Sequence, residues 1–570
     1  MTLVGFGQIA LVLILVAACA IPLGQYIAVV AQGGRTWLSP VFGPVERGLY
    51  AVCGVKADEQ MSWRGYAIGL LVLNALHFAL LYGILRFQDV LPFNPQHMAA
   101  VSPRLALNTA MSFVTNTNWQ AYGGESTLSY GTQMFGLTVH NFLSAATGIA
   151  AALAVSRAFA GGGLRNLGNF WADITRVTLY VLLPLVVVYT ILLIAGGVPQ
   201  TLSPYVDATT LEGGKQTIAL GPVAFQEAIK MIGTNGGGFF NSNSAHPFEN
   251  PTAWTNVVET WSEIVIPFSL AIAFGWIVKD RRQGVALFAT MGILLVAGIL
   301  ACYAAEGGGN PLLTAAGVDP AMGNMEGKEV RFGNAASALF SITTTATSDG
   351  AVISMHDSFM PLGGATQLFM MELGEIVPGG VGSGLYGILV FALLAVFVAG
   401  LMVGRTPEYL GKKVQSREIK LAMLAVLILP LSMLCGTAMS LLLPAGLSSI
   451  VNPKSPHGLS EMLYAWTSAT ANNGSAFAGI TADTPLLDIG LAVAMLLGRF
   501  AFLVPVLAIA GSLAAKPKLP PSAGTFPTHG PLFVGLLIGV IVILGGLQFM
   551  PALSLGPLAE HFSMLAGKTF

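Results

Sequence analysis

The sequence predicts an all-α membrane protein with about ten transmembrane helices, organised as four pseudo-symmetric repeats of helix, pore loop and helix with one extra helix at each end. Three observations lead to this fold class: an apolar composition, ten long apolar segments, and a polar motif that recurs four times. Hydrophobic residues make up 54% of the 570 residues and charged residues only 9%, whereas a soluble domain carries about 25% charged residues. Lipid must therefore face most of the surface.

The same composition excludes several classes of protein. The formal net charge of −1 gives no sign of a nucleic-acid partner or a polybasic lipid anchor. The cysteines Cys19, Cys53, Cys302 and Cys435 form no Cys-x-x-Cys pair, which argues against a disulfide framework or a zinc site built on them. The first apolar segment lacks a basic leader and is too long for the core of a signal peptide, so we predict a retained helix.

Ten segments are apolar enough to cross a bilayer, which takes about 20 apolar residues in a helix. They are residues 3–31, 64–86, 131–156, 173–197, 256–278, 283–304, 382–404, 419–444, 485–514 and 530–552. The seventh segment could extend back toward residue 365.

Basic residues predict the orientation, because cytoplasmic loops carry an excess of Lys and Arg. Seventeen of the 26 basic residues, Arg165 among them, lie in loops that follow the odd-numbered helices. Eight lie in the other loops and the C-terminal segment, and Arg499 lies inside the ninth helix. This bias predicts that the odd loops are cytoplasmic and that both termini lie outside.

Four loops share one polar composition, and we call them polar loops 1 to 4. They are Asn116-Thr117-Asn118, Thr234-Asn235-Gly236, Ser348-Asp349-Gly350 and Asn472-Asn473-Gly474. Their first residues are separated by 118, 114 and 124 positions, and a near-constant interval indicates an internal repeat. Loop 1 has asparagine where the others have glycine and is the weakest match. A single loop of this kind would be an ordinary turn, but four in one frame are not.

Each polar loop follows a short, half-apolar stretch long enough for about three helical turns, here called a loop helix. The predicted loop helices cover residues 104–114, 223–232, 334–345 and 459–469. Irregular backbone at membrane depth survives only inside protein or beside a wet cavity. Four such loops around one axis would form a ring of oxygens able to replace the hydration shell of K⁺. The twelve residues of the loops are therefore the candidate selectivity filter.

The repeat predicts a division of the chain into six segments. These are 1–63 (extra N-terminal helix and cytoplasmic loop), 64–160, 161–279, 280–404 and 405–515 (pore repeats 1 to 4), and 516–570 (extra C-terminal helix).

Several charged residues stand out against this apolar background. Asp349 would either raise the field on the ion axis or brace its loop through neighbouring N–H groups, and we favour bracing. Arg499 lies midway along the ninth predicted helix, where a charge is costly and usually functional; we expect it below the filter, where it would repel a cation running straight through. Glu372 and Glu375 start a glycine-rich, broken segment and form either a cation-attracting vestibule or a solvated helix end. We interpret His356 as a loop brace.

Five motifs carry a resemblance to a known family along the whole chain. They are Thr115–Gln120, Gly233–Asn250, Met355–Phe359, Gly384–Gly387 and Asn472–Gly479. The second reads Gly-Thr-Asn-Gly-Gly-Gly-Phe-Phe-Asn-Ser-Asn-Ser-Ala-His-Pro-Phe-Glu-Asn and is highly specific. The chain closely resembles the A subunit of the Kdp potassium-transporting ATPases, which belongs to a superfamily of potassium transporters with four channel-like repeats.

The resemblance implies more than the spacing does. It implies a filter formed around Asn116, Thr234, Ser348 and Asn472, with Gln120 at the outer end of loop 1. It implies K⁺ as ligand and substrate, no covalently bound cofactor, and K⁺ leaving the filter sideways. The implied partners are a P-type ATPase subunit that hydrolyses ATP and two small membrane subunits, in a bacterial plasma membrane.

The sequence itself contains no machinery for using ATP. The ending Gly567-Lys568-Thr569 lacks the earlier glycine of a phosphate-binding loop, and no Asp-Lys-Thr-Gly phosphorylation motif is present. We therefore expect no catalytic site in this chain. The alternative is a stand-alone K⁺ channel or symporter of the same superfamily. An intramembrane enzyme would need a nucleophile or metal cluster that is not apparent, and inverted repeats are disfavoured because two full spans per repeat keep one orientation.

Overall fold

The computed structural model describes residues 1–163, 166–402, 404–520 and 526–568, so Arg165 lies outside the described residues. Within them, ten helical segments are long and apolar enough to cross a membrane. They are Leu3–Ala31, Trp63–Arg86, Thr132–Ala160, Phe170–Gly196, Ala253–Ile277, Arg281–Ala315, Ser383–Met402, Ser416–Leu442, Pro485–Ala514 and Pro531–Leu565. The prediction of an all-α protein with about ten transmembrane helices is confirmed.

The helices follow one another in this order along the described chain. They are α1 (Leu3–Ala31), α2 (Ser39–Cys53), α3 (Trp63–Arg86), α4 (Pro103–Val114), α5 (Gly124–Thr127), α6 (Val139–Ala160), α7 (Phe170–Arg176), α8 (Leu183–Gly196), α9 (Val223–Ile232), α10 (Ala253–Ile277), α11 (Arg281–Gly307), α12 (Pro311–Ala315), α13 (Gly333–Ala346), α14 (Pro361–Glu372), α15 (Ser383–Met402), α16 (Ser416–Leu442), α17 (Pro444–Leu447), α18 (Pro456–Ala471), α19 (Pro485–Leu496), α20 (Phe502–Ala514), α21 (Pro531–Leu553) and α22 (Ala559–Leu565). Two antiparallel hairpins lie between them, β1 (Val206–Thr209) with β2 (Lys215–Ile218) and β3 (Glu408–Tyr409) with β4 (Lys412–Lys413).

Four of these helices are the predicted loop helices: α4, α9, α13 and α18. Each ends where a polar loop begins, and each differs from its predicted bounds by three residues or fewer. Local chemistry fixes the start of α4, since the Ser102 side chain accepts a hydrogen bond from the N–H of Leu105 and Pro103 occupies the first turn. Their C-terminal ends, which carry the negative end of the helix dipole, point at the polar loops.

The seventh spanning segment does not extend back toward residue 365 as one helix. Helix α14 ends at Glu372 and α15 begins at Ser383. Between them Gly374, Gly379 and Gly382 have φ of 91°, 79° and 92°, a conformation that interrupts a helix and that glycine adopts without penalty. The expected broken segment is therefore present, and its break places Glu375 between two helices.

Burial separates the spans into an inner and an outer group. The span that follows each polar loop is 67–89% buried over its most apolar stretch. The span that precedes each loop helix, and the extra span at each end, are only 28–44% buried. The span after each polar loop therefore surrounds the centre of the molecule, and the span before each loop helix lies at the periphery.

Several spans contain a wider π-type turn, a feature often found at functional sites. These turns are Thr132–Thr138, Val177–Leu182, Leu497–Ala501 and Ser554–Leu558. The third contains Arg499, so the one charged residue singled out within a span lies where its helix is locally irregular.

Candidate functional site

The four polar loops adopt the same backbone conformation. The first residue of each loop has a positive φ: 65° at Asn116, 43° at Thr234, 55° at Ser348 and 60° at Asn472. The third residue does too: 54° at Asn118, 70° at Gly236, 91° at Gly350 and 94° at Gly474. Positive φ is uncommon for residues other than glycine and asparagine. Positive φ at eight matching positions, including Thr234 and Ser348, shows that the loops share one backbone structure.

A repeated backbone hydrogen bond ties each loop to its own loop helix. The N–H of the second loop residue donates to the carbonyl five residues earlier. The N···O distances are 2.9 Å for Thr117 to Ser112, 2.8 Å for Asn235 to Lys230, 3.4 Å for Asp349 to Thr344 and 2.9 Å for Asn473 to Ser468. The helix thus fixes the path of the loop that follows it.

The loops contact one another in a closed ring. A Cβ atom added to Gly236 would lie 1.8 Å from the carbonyl oxygen of Asp349. One added to Gly350 would lie 2.3 Å from that of Asn473, and one added to Gly474 would lie 1.7 Å from that of Thr117. Loop 2 therefore touches loop 3, loop 3 touches loop 4, and loop 4 touches loop 1. At these three positions only glycine fits, for space as well as for φ.

The first and second loops complete the ring through amide side chains. The Nδ2 atom of Asn118 donates to the carbonyl of Gly236 at 2.8 Å and to Oδ1 of Asn141 at 2.9 Å. Two residues before and two residues after Asn118, the side-chain amides of Asn116 and Gln120 donate in the same way. Their acceptors are the carbonyl oxygens of Thr234 (2.7 Å) and Gly238 (3.1 Å). Asn118 thus occupies the glycine position with a side chain that bridges the loops, which explains why loop 1 departs from the motif.

One further side chain holds each loop, and it lies five residues before the middle residue of that loop. We call these four residues the anchor residues. They are Ser112, Lys230, Thr344 and Ser468. The first, second and fourth donate to the carbonyls of Trp119 (3.0 Å), Gly237 (2.9 Å) and Ser475 (2.8 Å). The hydroxyl of the third accepts from the N–H of Gly350 at 2.9 Å. We missed them from sequence, although they recur at the same intervals of 118, 114 and 124 as the loops.

The anchor of loop 2 is a fully buried ammonium group. Lys230 Nζ lies 2.8 Å from Glu227 and 2.5 Å from Glu249. It also donates to the side chain of Asn243 at 3.1 Å. Buried charges persist when they are paired and hydrogen-bonded in this way. Glu249 and Asn243, which belong to the long motif Gly233–Asn250, therefore have a structural role in holding this lysine.

Asp349, the middle residue of loop 3, is completely buried. Its Oδ1 atom accepts a hydrogen bond from the N–H of Ala351 at 3.3 Å. Its Oδ2 atom has no hydrogen-bond partner among the described residues. The first contact is the one expected of a loop brace, and the carbonyl of Asp349 is the oxygen that Gly236 packs against.

Arg499 lies beneath the first residues of two loops. It lines a cavity of about 30 Å³ together with Ser348, Glu375 and Asn472. Its side chain is 5% exposed, and Nη2 donates to the carbonyl of Ser144 at 3.1 Å. Since Ser348 and Asn472 begin their loops, this cavity lies at the end of the ring where the loops start, opposite the end occupied by Gln120.

The two glutamates after the third loop lie at this same end of the ring and not beside Gln120. Both are buried, at 3% exposure for Glu372 and 2% for Glu375, so the alternative of a solvated helix end is wrong. Glu375 faces the Arg499 cavity, and Glu372 lines an adjoining cavity of about 10 Å³. The two cavities share Leu429 and Phe502 as walls.

Comparison with known proteins identifies the family. The family described as "Potassium-transporting ATPase A subunit" matches residues 10–562. The chain belongs to this family. A "Potassium-transporting ATPase potassium-binding subunit" of Mesorhizobium japonicum is 59% identical over 100% of both chains. One of Methylorubrum extorquens is 60% identical over 100% of this chain and 99% of that one. A family of this description consists of subunits of a larger assembly in the membrane.

A solved structure supports the fold of this A subunit. The potassium transporter TrkH from Vibrio parahaemolyticus aligns with a TM-score of 0.51 at 16% identity. The alignment covers 88% of this chain and 97% of TrkH. The similarity therefore concerns the arrangement of the helices.

In this A subunit, a second set of contacts holds loop 4 from outside the ring. Burial lowers the pKa of His356 to about 3, so its ring is neutral, and its Nε2 atom has no partner among the described residues. Nδ1–H then donates to Tyr464 at 2.8 Å, Tyr464 to Ser475 at 2.7 Å, and Ser475 to Oδ1 of Asn473 at 2.5 Å. This assignment gives each hydroxyl one donor role, and the interpretation of His356 as a loop brace agrees with it.

Proposed function

We propose that this chain binds K⁺ selectively in the ring of polar loops and passes it inward as the channel-like subunit of an ATP-driven potassium pump. The observation that supports this most directly is the closed ring of four loops with one repeated conformation. The names of the relatives, which describe potassium-binding subunits of a potassium-transporting ATPase, agree with it. The chain itself has no catalytic site in this proposal, and K⁺ is both ligand and substrate.

The twelve loop residues are the proposed filter. A cation enters at the end marked by Gln120 and exchanges water for loop oxygens, as in carbonyl-lined potassium filters. The negative ends of the four loop-helix dipoles converge on the same point and favour a cation there. Because each loop is held by its helix, its anchor residue and its neighbours, the ring resists shrinking around the smaller Na⁺.

We propose that the ion leaves sideways below the ring. Arg499 stands in the direct path and repels a cation. Glu375 lies in the same cavity and attracts one, and the adjoining cavity with Glu372 extends outward between α15, α16, α20 and α21. This route would deliver K⁺ to a partner seated on the α16 and α21 face, which makes that face the proposed docking side of a P-type ATPase subunit.

The remaining parts of the proposal concern the surroundings of the chain. Two small membrane subunits complete the complex, the membrane is a bacterial plasma membrane, and both termini lie outside. The division into segments 1–63, 64–160, 161–279, 280–404, 405–515 and 516–570 belongs to the same proposal. This division agrees with the alternation of outer and inner spans, and the repeated motif in the sequence sets its boundaries.

Equilibrium binding of K⁺ and Na⁺ to the purified chain tests the filter. We expect K⁺ selectivity in the unmodified chain and at least about a 10-fold loss of K⁺ affinity in Gly236→Ala, since the added Cβ would lie 1.8 Å from the carbonyl oxygen of Asp349 and must displace it. Gly546→Ala is the matched control, because nothing lies within 4 Å of a Cβ there. Absence of selectivity, or unchanged K⁺ binding in a folded Gly236→Ala chain, would refute the proposal.

Flux measurements separate the pump subunit from the stand-alone channel or symporter. In proteoliposomes, the proposal predicts ATP-dependent K⁺ uptake only when the ATPase subunit is present. Sustained K⁺ flux through the unmodified chain alone would favour the alternative.

A further inference from the structure

A buried cluster of one histidine and three carboxylates lies outside the ring. It forms where the start of α18 meets the turn His356–Ser358 and the C-terminal helix α22. His457 Nε2 lies 2.8 Å from Asp357 Oδ1 and 3.9 Å from Glu461 Oε1. One ligand atom from each of these three residues lies within 4.8 Å of the other two. The proposed ion path does not use any of them.

The second nitrogen of the histidine ring is fixed by a further carboxylate. His457 Nδ1 lies 2.9 Å from Oε2 of Glu560, whose other oxygen accepts a hydrogen bond from Ser460. Histidines that bind metal ions almost always donate their second N–H to a carboxylate or carbonyl, which sets the tautomer and the ring orientation. This arrangement directs Nε2 toward Asp357 and Glu461.

Glu461 is the least compensated carboxylate of the cluster, because the His457 nitrogen that lies 3.9 Å from it is closer to Asp357, at 2.8 Å. It is 0% exposed, and neither carboxylate oxygen accepts a hydrogen bond of normal geometry from a described residue. A Cβ atom on Gly479 would lie 2.1 Å from Glu461 Oε1, and Gly479 has a φ of 71°. The backbone therefore leaves the space that this carboxylate occupies. A buried carboxylate that accepts no hydrogen bond is costly, and a bound cation beside it would lower that cost.

We propose that Asp357, His457 and Glu461 bind a divalent transition-metal ion, with Zn²⁺ as the best match. One imidazole nitrogen and two carboxylate oxygens are ligands that Zn²⁺ accepts, and three protein ligands leave one position for water. The Asp357 side chain is 20% exposed and the other two are 7% and 0% exposed, so Asp357 marks the entrance. Zn²⁺ would offset the charges of Asp357 and Glu461, while the third carboxylate, Glu560, stays bonded to the other nitrogen of His457.

The site is connected to polar loop 4 by short contacts. The N–H of Asp357 donates to the carbonyl of Phe477 at 2.8 Å, three residues after Gly474. The neighbouring His356 begins the hydrogen-bond chain that ends at Asn473. A bound metal ion would therefore tie together the start of α18, the C-terminal helix and the segment that leaves loop 4.

Zn²⁺ titration of the full-length, chelator-treated chain tests the proposal, with calorimetry for affinity and Co²⁺ absorption for ligand geometry. We expect one Zn²⁺ per chain and at least about a 10-fold loss of affinity in Glu461→Gln and His457→Gln, the lower limit for partners of a metal site. His561→Gln on the same C-terminal helix is the matched control and should bind as the unmodified chain does. Zn²⁺ should also raise the thermal unfolding midpoint, because it binds only the folded state.

Glu461→Gln keeps the test decisive, because it preserves the size of the side chain and breaks no hydrogen bond among the described residues of the metal-free chain, so the variant should fold. No stoichiometric Zn²⁺ binding to the folded chain, or equal binding by Glu461→Gln, would overturn the proposal. K⁺ binding measured on the same samples distinguishes this failure from failure of the filter.

Discussion

The anchor of loop 2 is a lysine, whereas the other three loops have a hydroxyl group at this position. Lys230→Met should destabilise the chain by about 3–5 kcal/mol, because Glu227 and Glu249 would remain buried without their partner. Ser112→Ala removes one hydrogen bond, to the carbonyl of Trp119, and should cost about 1 kcal/mol. Thermal unfolding in detergent measures both variants side by side.

The pairing argument for Lys230 also predicts a rescue. Adding Glu249→Gln to Lys230→Met should recover part of the lost stability, since it removes one of the two unpaired carboxylates. If Lys230→Met were no worse than Ser112→Ala, the ammonium would not be compensating those carboxylates.

Arg499 allows a residue-level test of the direct path. Arg499→Gln keeps a donor for the carbonyl of Ser144 but removes the positive charge below the ring. We expect the variant to bind K⁺ at the loops and to pass K⁺ passively across proteoliposomes, because the electrostatic barrier is gone. If proteoliposomes containing Arg499→Gln showed no passive K⁺ flux and ATP-driven uptake were unchanged, the positive charge would have only a structural role.

At the element scale, the loop helices were predictable because their ends carry strong local signals. Helix α9 has the predicted bounds, and α4 begins at a Ser-Pro pair that starts helices in many proteins. The glycine-rich sequence after Glu372 also predicted a break before α15. It did not predict where the break begins and ends, which the backbone at Gly374, Gly379 and Gly382 shows.

The packing of an inner span against a loop helix gives an element-level prediction. A Cβ atom on Gly498, in the π-type turn before α20, would lie 1.7 Å from the carbonyl of Thr470 near the end of α18. Gly498→Ala should push these helices apart, displace loop 4 and lower both the unfolding midpoint and K⁺ affinity. Gly539→Ala, where nothing lies within 4 Å, should be neutral or slightly stabilising because alanine favours helix. Equal behaviour of the two variants would contradict the close packing.

At the scale of the whole molecule, the sequence predicted the repeat but not the contacts between repeats. The interval of 118 residues placed loops 1 and 2 in equivalent positions. It did not show that Asn118 donates to Gly236, or that Gly474 packs against Thr117. Such contacts join residues 118 to 357 positions apart, and no local preference encodes them. Glu372 and Glu375 were ambiguous for the same reason, since their burial depends on distant helices.

Orientation is the property of the whole molecule that remains to be tested, and two positions decide it. Cys53 is exposed in α2, and Glu212 is exposed in the turn between β1 and β2. Three candidate spans separate them, Trp63–Arg86, Thr132–Ala160 and Phe170–Gly196. An odd number of crossings places the two positions on opposite sides of the membrane, and the basic-residue bias assigns Cys53 to the cytoplasm.

Two single-cysteine chains, one keeping only Cys53 and one carrying only Glu212→Cys, measure this with an impermeant maleimide. We expect labelling of Glu212→Cys in intact spheroplasts and labelling of Cys53 only after lysis; labelling of both in detergent is the control for reactivity. The reverse pattern would invert the predicted orientation and place the Gln120 end of the ring inside the cell. Labelling of both from outside would mean that one of the three helices does not cross the membrane. The predicted arrangement of two spans in each of the first two repeats would then be wrong.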